Sequence, residues 1–312
     1  MEIKEYSEKF LNSFIYLIDN SFWIKNNNKI WLIKWKFFSN PNNNKNKIIC
    51  SYFNNKIVWQ YSNIATSFTY KKENINWYTC QDMCVLKEFR WKWLISKMSK
   101  YLYSNIKEDS FSIWFSNKFW VKVDQNSKWY WYTVIDKLIS YILPTFLSFN
   151  KNYNFKKIKN LDELKNINFS NFDIFDNYIK INSSFDYIKW RYFNKPNSNY
   201  NFFLIYDEKE NILWYIILTF KKWFWNIYDF NSIKTINNKK MIYTFKKISI
   251  ANNVFFLRIQ VLKNNFWKFF FKWFLKINKN EDIYFTIKKH NEFQKVNIID
   301  KENWIIKTWN IL

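Results

Sequence analysis

Two stretches of the chain, "FNNKIVWQYS" (53–62) and "KENILWYIIL" (209–218), follow one plan. Each opens on a polar turn, runs through aliphatic residues, meets a tryptophan at position 59 or 214, and continues as apolar strand. A polar turn between such runs predicts a β-hairpin. The two hairpins lie about half a chain apart, which predicts an internal duplication. After the first, the pattern predicts a strand at Tyr78–Leu86 and a loop holding positions 91 and 93. A helix follows, with apolar residues at Leu94, Met98, Tyr101 and Leu102, a helical period. A strand at 110–115 ends the unit. After the second hairpin the order recurs: strand 226–232, helix 238–253, strand 254–262. Strand, crossover helix and strand in succession imply a parallel pair joined right-handedly. Between the halves, "YTVIDKLISYILPTFLSF" (132–149) reads as an amphipathic helix ending near Pro144 and packed between domains. The expected fold class is α/β, an α+β mixed sheet in two tandem domains, residues 1–150 and 151–312.

Composition changes how this pattern is read. The 312 residues include 19 Trp and no Gly, whereas globular proteins carry roughly 7% Gly. Glycine is the default wherever the backbone needs φ > 0, because it has no Cβ to clash. Pro is also scarce, while Lys, Asn, Ile, Phe and Tyr, which have AT-rich codons, abound. Both biases are explained if the gene uses UGA for glycine and the printed sequence renders that codon as Trp. On this expectation most tryptophans stand where the native chain has glycine. Positions 59 and 214 then become small residues within strands, and "WYW" (129–131) and "WFW" (223–225) become loop or turn elements.

The formal charge of +24 would ordinarily suggest nucleic acid or an anionic surface as partner. Here Lys enrichment follows the same codon drift, and the basic residues are spread along the chain. Cys50, Cys80 and Cys84 are odd in number and have no nearby His, so a zinc site is not expected. Reduced thiols in a cytoplasmic protein are the expectation. No signal peptide and no apolar run long enough to span a bilayer is read from the sequence.

With positions 91 and 93 as glycine, residues 90–95 become Arg-Gly-Lys-Gly-Leu-Ile between a strand and a helix. Such a turn is an anion site, because the first N–H groups of a helix are unpaired and its dipole favours negative charge. The missing Cβ atoms let a pyrophosphate approach, and Arg90 and Lys92 add positive charge. With Trp91 and Trp93 in place the turn is expected to be crowded. Taken alone, the same loop also reads as a plain strand–helix turn.

The neighbours of this loop carry a resemblance. "CQDMCVLKEFRWKWLISKMSKYLY" (80–103) resembles the coenzyme A-binding segment of the GNAT superfamily of acyl-CoA N-acyltransferases, whose signature is Gln/Arg-x-x-Gly-x-Gly/Ala. Arg90 matches its first position and Trp93, read as glycine, its fourth; Ile95 departs from the sixth. "IWFSNKFW" (113–120) is similar to the Gly-Phe-Pro-Asn segment of one branch, with Trp114 as the glycine, Ser116 replacing proline and Asn117 as the asparagine. "FDYIKWRYFNKPNSNY" (185–200) resembles the Tyr-Leu-x-Trp-Arg-Tyr segment of the same two-domain branch, which makes Trp190 a genuine tryptophan; Trp304 is read the same way. The second half lacks the acyl-CoA loop signature at 233–241 and resembles a degenerate copy.

The resemblance implies acetyl-CoA or another acyl-CoA as co-substrate, with no metal. It places the pyrophosphate on Arg90, Trp91, Lys92, Trp93, Leu94 and Ile95, and the pantetheine beside the backbone of Cys84 and Val85. A backbone N–H polarises the thioester carbonyl and the acceptor amine attacks directly. Asp82 is the candidate proton relay, with a solvated or structural carboxylate as the alternative. Arg191 reads as a tie within the second domain or as an anion ligand. Cys84 lacks the neighbouring base a thiol nucleophile needs and reads as a strand residue. The acceptor is an amine on a small molecule or amino sugar. Two other readings stay open: a basic, aromatic nucleic-acid-binding protein, and an acyl-CoA-binding protein without turnover.

Overall fold

The computed structural model describes residues 1–22, 29–92, 94–106, 110–118, 121–122, 132–145, 154–172, 174–221, 224–233, 238–262, 274–277, 283–290 and 297–306. In the first half, β1 (Glu2–Glu5), α1 (Leu11–Phe22) and α2 (Lys29–Phe38) precede three antiparallel strands, β2 (Lys47–Phe53), β3 (Lys56–Tyr70) and β4 (Glu73–Val85). A 3-10 turn at Lys87–Lys92 leads into α3 (Leu94–Ser104), which is followed by β5 (Ser110–Asn117) and β6 (Thr133–Pro144). The second half begins with β7 (Asn154–Ile158), β8 (Lys180–Ile181) and α4 (Phe185–Ile188), which widens into a π turn ending at Phe193. It continues with β9 (Tyr200–Tyr206), β10 (Ile212–Lys221), β11 (Phe224–Ser232), α5 (Asn238–Ala251), β12 (Phe256–Leu262), β13 (Leu275–Ile277) and β14 (Ile283–His290).

The strands form one mixed sheet, ordered β1-β2-β3-β4-β5-β14-β6-β12-β11-β10-β9-β7, with β8 on β3 and β13 on β6. Alternation along each strand sends neighbouring residues to opposite faces. On one face Ile48, Cys50 and Tyr52 of β2 meet Phe14, Leu17 and Ile18 of α1 and Ile33 and Phe37 of α2. On the other, Ile49 of β2 joins Trp59, Tyr61 and Cys80 beneath Met98 and Leu102 of α3. The second sheet region repeats this arrangement, with Met241, Ile242, Phe245 and Ile248 of α5 lying over Trp214, Ile216 and Leu218. Its opposite face, carrying Phe202, Leu204, Tyr215 and Ile217, shares a core with Phe68, Ile75, Phe111 and Ile113 of the first half.

The two halves match down to irregularities of the ladder. In β3 the register against β2 shifts at Val58, and Trp59 follows. In β10 the register against β9 shifts at Leu213, and Trp214 follows. The tight turn between β2 and β3 places Asn54 at φ 47° and Asn55 at φ 59°, and Lys71 and Lys72 between β3 and β4 have φ 50° and 67°. Asn tolerates the left-handed region better than most non-glycine residues, so it takes the role glycine usually plays in a primed hairpin turn.

The expected helix at 132–149 is instead the strand β6. Its first residues, Thr133–Lys137, pair with β14, and Leu138–Pro144 pair with β12. β13 lies against Ser140–Ile142. β6 sends Leu138 into one core and Ile139, Tyr141 and Leu143 into the other, and over a short run a strand apolar on both faces imitates a buried helix. Pro144 closes the strand, where a missing N–H costs little. The expected turn at 223–225 also differs: Phe224 and Trp225 begin β11 and pair in parallel with Phe256 and Leu257, while position 223 lies outside the described residues. The "WYW" at 129–131 is outside them too.

The halves exchange strands. β6 follows β5 in sequence yet lies beside β12, and β14, near the chain end, is inserted between β5 and β6. No helix among the described residues is long and apolar enough to cross a membrane.

Candidate active site

The parallel pair of the first half is short. β4 and β5 pair only through Trp77–Thr79 and Phe111–Ile113. Beyond Thr79, β4 continues six residues to Val85 with β3 on one edge, while β5, paired with β14 along its whole length on the other edge, runs on to Asn117 without β4. Two parallel strands that part in this way open a slot at their C-terminal ends, where an extended ligand can meet a strand edge.

At the mouth of the slot β4 is bulged. Gln60 and Ser62 of β3 face Cys84 and Gln81, so Asp82 and Met83 together oppose the single residue between them, Tyr61. Asp82 has φ 44°, in the left-handed region. Bulges re-aim side chains and cluster near active sites. The bulge is held from behind: the Gln60 side-chain amide donates to the Asp82 carbonyl, and the Ser62 hydroxyl donates to Gln60 Oε1. Lys36, reaching down from α2, pairs with Asp82 Oδ2 at 2.5 Å. Asp82 therefore sits on the α1–α2 face of the sheet, opposite α3. Sequence reasoning missed Lys36 and Gln60, because nothing in their local context marks them; they reach Asp82 across 46 and 22 residues.

The other candidates fall as follows. Cys84 is buried on β4, paired with Gln60, and burial pushes its thiol up to about 12. Its place within β4 agrees with its reading as a strand residue. Val85 ends β4 opposite Trp59. Arg90 is exposed on the turn that links β4 to α3. The backbone of Trp91 and Lys92 belongs to that turn, and Leu94 and Ile95 open α3. Their side chains, and the whole of Trp93, lie outside the described residues, as does the expected crowding there. Asn117 closes β5 opposite Ile283, on the far side of the slot.

The segment 185–200 meets the first half directly. Trp190 stacks on Trp35 of α2, ring centroids 5.1 Å apart, and each indole N–H donates to the other residue's carbonyl at 2.7 and 3.0 Å. Arg191 is 1% exposed, its guanidinium 5.7 Å from the Trp35 ring. Lys195 lies over the same ring at 5.1 Å. Trp35 and Lys36 are consecutive on α2, so this cluster and the Asp82 bulge are joined through adjacent residues.

Six of the seven buried tryptophans among the described residues divide into two groups. The indole N–H groups of Trp35, Trp190 and Trp304 are hydrogen-bonded to carbonyls. Those of Trp59, Trp77 and Trp214 are buried without a partner among the described residues. Trp77 also crowds Phe68, with ring centroids 3.1 Å apart, where aromatic pairs usually settle at roughly 4.5–7 Å.

No family model matches this sequence, and no curated protein matches it. Solved structures match the fold. A probable N-acyltransferase from Enterococcus faecalis V583 superposes with a TM-score of 0.70 at 10% identity, covering 94% of this chain and 73% of that one. A GCN5-related N-acetyltransferase from Anabaena variabilis ATCC 29413 gives 0.65 at 10% identity, covering 93% and 73%. The N-myristoyltransferase of Saccharomyces cerevisiae with bound myristoyl-CoA gives 0.55 at 9% identity, covering 92% and 82%. The mixed α/β architecture is thus that of N-acyltransferases, over nearly the whole chain.

Proposed function

We propose that the protein is an acyl-CoA-dependent N-acyltransferase, with residues 1–150 as the catalytic unit and 151–312 as a degenerate copy that shapes the acceptor side. The observation that carries this is the parting of β4 and β5 after three paired positions, with a bulge at its mouth, in a fold shared with N-acyltransferases. Acyl-CoA lies with its pyrophosphate on the turn at 90–95 and its pantetheine along β4 near Cys84 and Val85, with Asn117 across the slot. Acetyl-CoA is the expected donor and the cytoplasm the expected location.

The acceptor amine approaches from the α1–α2 face, where Asp82 stands. Its nitrogen lone pair attacks the thioester carbonyl carbon, with a backbone N–H of the bulged strand stabilising the oxyanion. The C–S bond then breaks, coenzyme A leaves as thiolate, and the proton lost by the nitrogen passes through Asp82, or a water it holds, to the departing thiolate or to solvent. Lys36 orients the carboxylate.

The same proposal takes most tryptophans as glycine in the native chain. Trp59, Trp77 and Trp214, with unpartnered indoles, are placed in the glycine group. Trp35, Trp190 and Trp304, with bonded indoles, are genuine. A buried N–H without an acceptor costs about 1–3 kcal/mol, and glycine removes both the donor and the crowding.

Two experiments test the two parts. Peptide mass spectrometry on protein from its native source reads position 93 after cleavage at Lys92; Gly-Leu-Ile-Ser-Lys is expected, and Trp-Leu-Ile-Ser-Lys would end the recoding proposal. Coenzyme A release from acetyl-CoA, followed with a thiol reagent over a panel of amines, is expected to depend on the amine. If acetyl-CoA raises the melting temperature but no amine releases thiol, the protein binds acyl-CoA without turnover.

A further inference from the structure

The second half has its own parting of parallel strands. β11 and β12 pair through Phe224–Asn226 and Phe256–Arg258 and then separate. Here too the strand preceding the crossover helix is bulged: Ile217 and Leu218 of β10 face Asp229 and Ile227, which leaves Tyr228 as the extra residue. At this bulge lies a cleft of about 300 Å³, lined by Lys195, Asn197, Tyr200, Thr219, Asn226 and Tyr228 among others.

The lining is rich in hydrogen-bond donors, and none of its residues carries a carboxylate. Lys195 is half-buried, and its ammonium lies 3.4 Å from the Tyr200 hydroxyl. No acid lies within ion-pair distance of it among the described residues. The charged groups that act on it are Arg191, beside it on the same segment, and Lys36 from α2, both cations. Behind the cleft, the buried Arg258 donates to Asn226 Oδ1 at 2.7 Å. Asp82 offsets Lys36, and Asp229 is buried behind the bulge on Tyr215, but the cleft itself presents the Lys195 ammonium with amide and hydroxyl donors and no carboxylate, a lining that is stabilised when an anion enters.

We propose that this cleft receives an oxyanion, phosphate or carboxylate, carried by the acceptor, with Lys195 as its counter-charge. The inference rests on the acyltransferase reading for the word acceptor; the anion site itself does not. Trp35 and Lys36 connect the cleft to Asp82, so an acidic group held at Lys195 directs the rest of the molecule toward the first-half slot. Burial and the two neighbouring cations lower Lys195 to about 7, so an anion binds best below that pH and raises the titration of the lysine.

Competitive labelling of the intact protein with acetic anhydride, read at Lys195 by peptide mass spectrometry, tests the site without turnover. Inorganic sulfate is the probe, because it stays fully ionised across the range. Lys195 is expected to label with a midpoint near pH 7, and millimolar sulfate is expected to slow that labelling at least fivefold and move the midpoint upward. Exposed lysines such as Lys56 serve as the control. Equal rates with and without sulfate, or equal slowing at Lys56, overturn the inference. Turnover supplies the second arm, comparing an amine with the same amine bearing a phosphate or carboxylate. Lys195→Gln is expected to raise KM for the acidic acceptor at least tenfold while kcat falls less; a change confined to kcat overturns the acceptor assignment. Sulfate protection without any acyl transfer would keep the anion site and retire the acyltransferase reading.

Discussion

The two halves solve the same geometric problem with different chemistry. Each opens a parallel pair after three positions and bulges the strand before the crossover helix. In the first half the bulge presents a carboxylate, Asp82, tied to Lys36. In the second it presents a phenol, Tyr228, beside Lys195 in a cleft without acids. The backbone common to both halves supplies a slot and a re-aimed residue. On the proposed reading, the first half uses its carboxylate for proton handling and the second its lysine for charge recognition.

The strongest contrast lies among the tryptophans. Trp190→Gly is expected to cost at least about 4 kcal/mol, because it removes a stacked ring and two reciprocal hydrogen bonds at the junction of the halves. Trp59→Gly and Trp214→Gly, at matching places in the two hairpins, are expected to leave the midpoint of chemical denaturation unchanged or to raise it. A loss of several kcal/mol at both would remove them from the glycine group.

At the bulges, Asp82→Asn is expected to lower kcat by roughly 10²–10⁴-fold, read as thiol release from acetyl-CoA. Tyr228→Phe is expected to act on acceptor KM. Equal kcat losses would erase the division of labour between the halves.

The exchanged strands differ in a testable way. His290 at the end of β14 is buried, with Nε2 2.6 Å from the Ser112 hydroxyl of β5. Burial, and to a lesser extent Lys288, lowers it to about 3. Its ordinary value is near 6.5, so between pH 6.5 and 3 the unfolded chain binds the proton that the folded chain refuses. Stability is therefore expected to fall as pH drops through this window, by a few kcal/mol on the order of 1.4 per pH unit. His290→Gln is expected to flatten that slope in acid denaturation curves; an unchanged slope would assign it elsewhere. A smaller effect is expected for Lys36→Met, about 1–3 kcal/mol of stability, together with a fall in kcat because Asp82 loses its tether.

Much of this was legible in the sequence where contacts are local. Apolar spacing at Leu94, Met98 and Leu102 marked α3, and the repeated Ile-Val-Trp and Ile-Leu-Trp runs marked both hairpins before the matching register shifts at Val58 and Leu213 were known. The parallel pairs followed from strand, helix and strand in succession. Other features were not legible, because they depend on partners far away in the chain. β6 imitates a helix until β14 and β12 flank it, and Asp82 looks like any strand carboxylate until Lys36 and Gln60 reach it.

The amino-acid sequence by itself determined the periodicities, the turns that Asn and Lys take at φ > 0, and a composition without glycine, since each of these is a property of neighbouring residues. Tertiary structure alone decided the strand exchange, the bulge at Asp82, the cleft at Lys195, and which indole N–H groups find an acceptor. Those depend on loop closures of tens to nearly two hundred residues, whose entropic cost is repaid only when the whole sheet assembles.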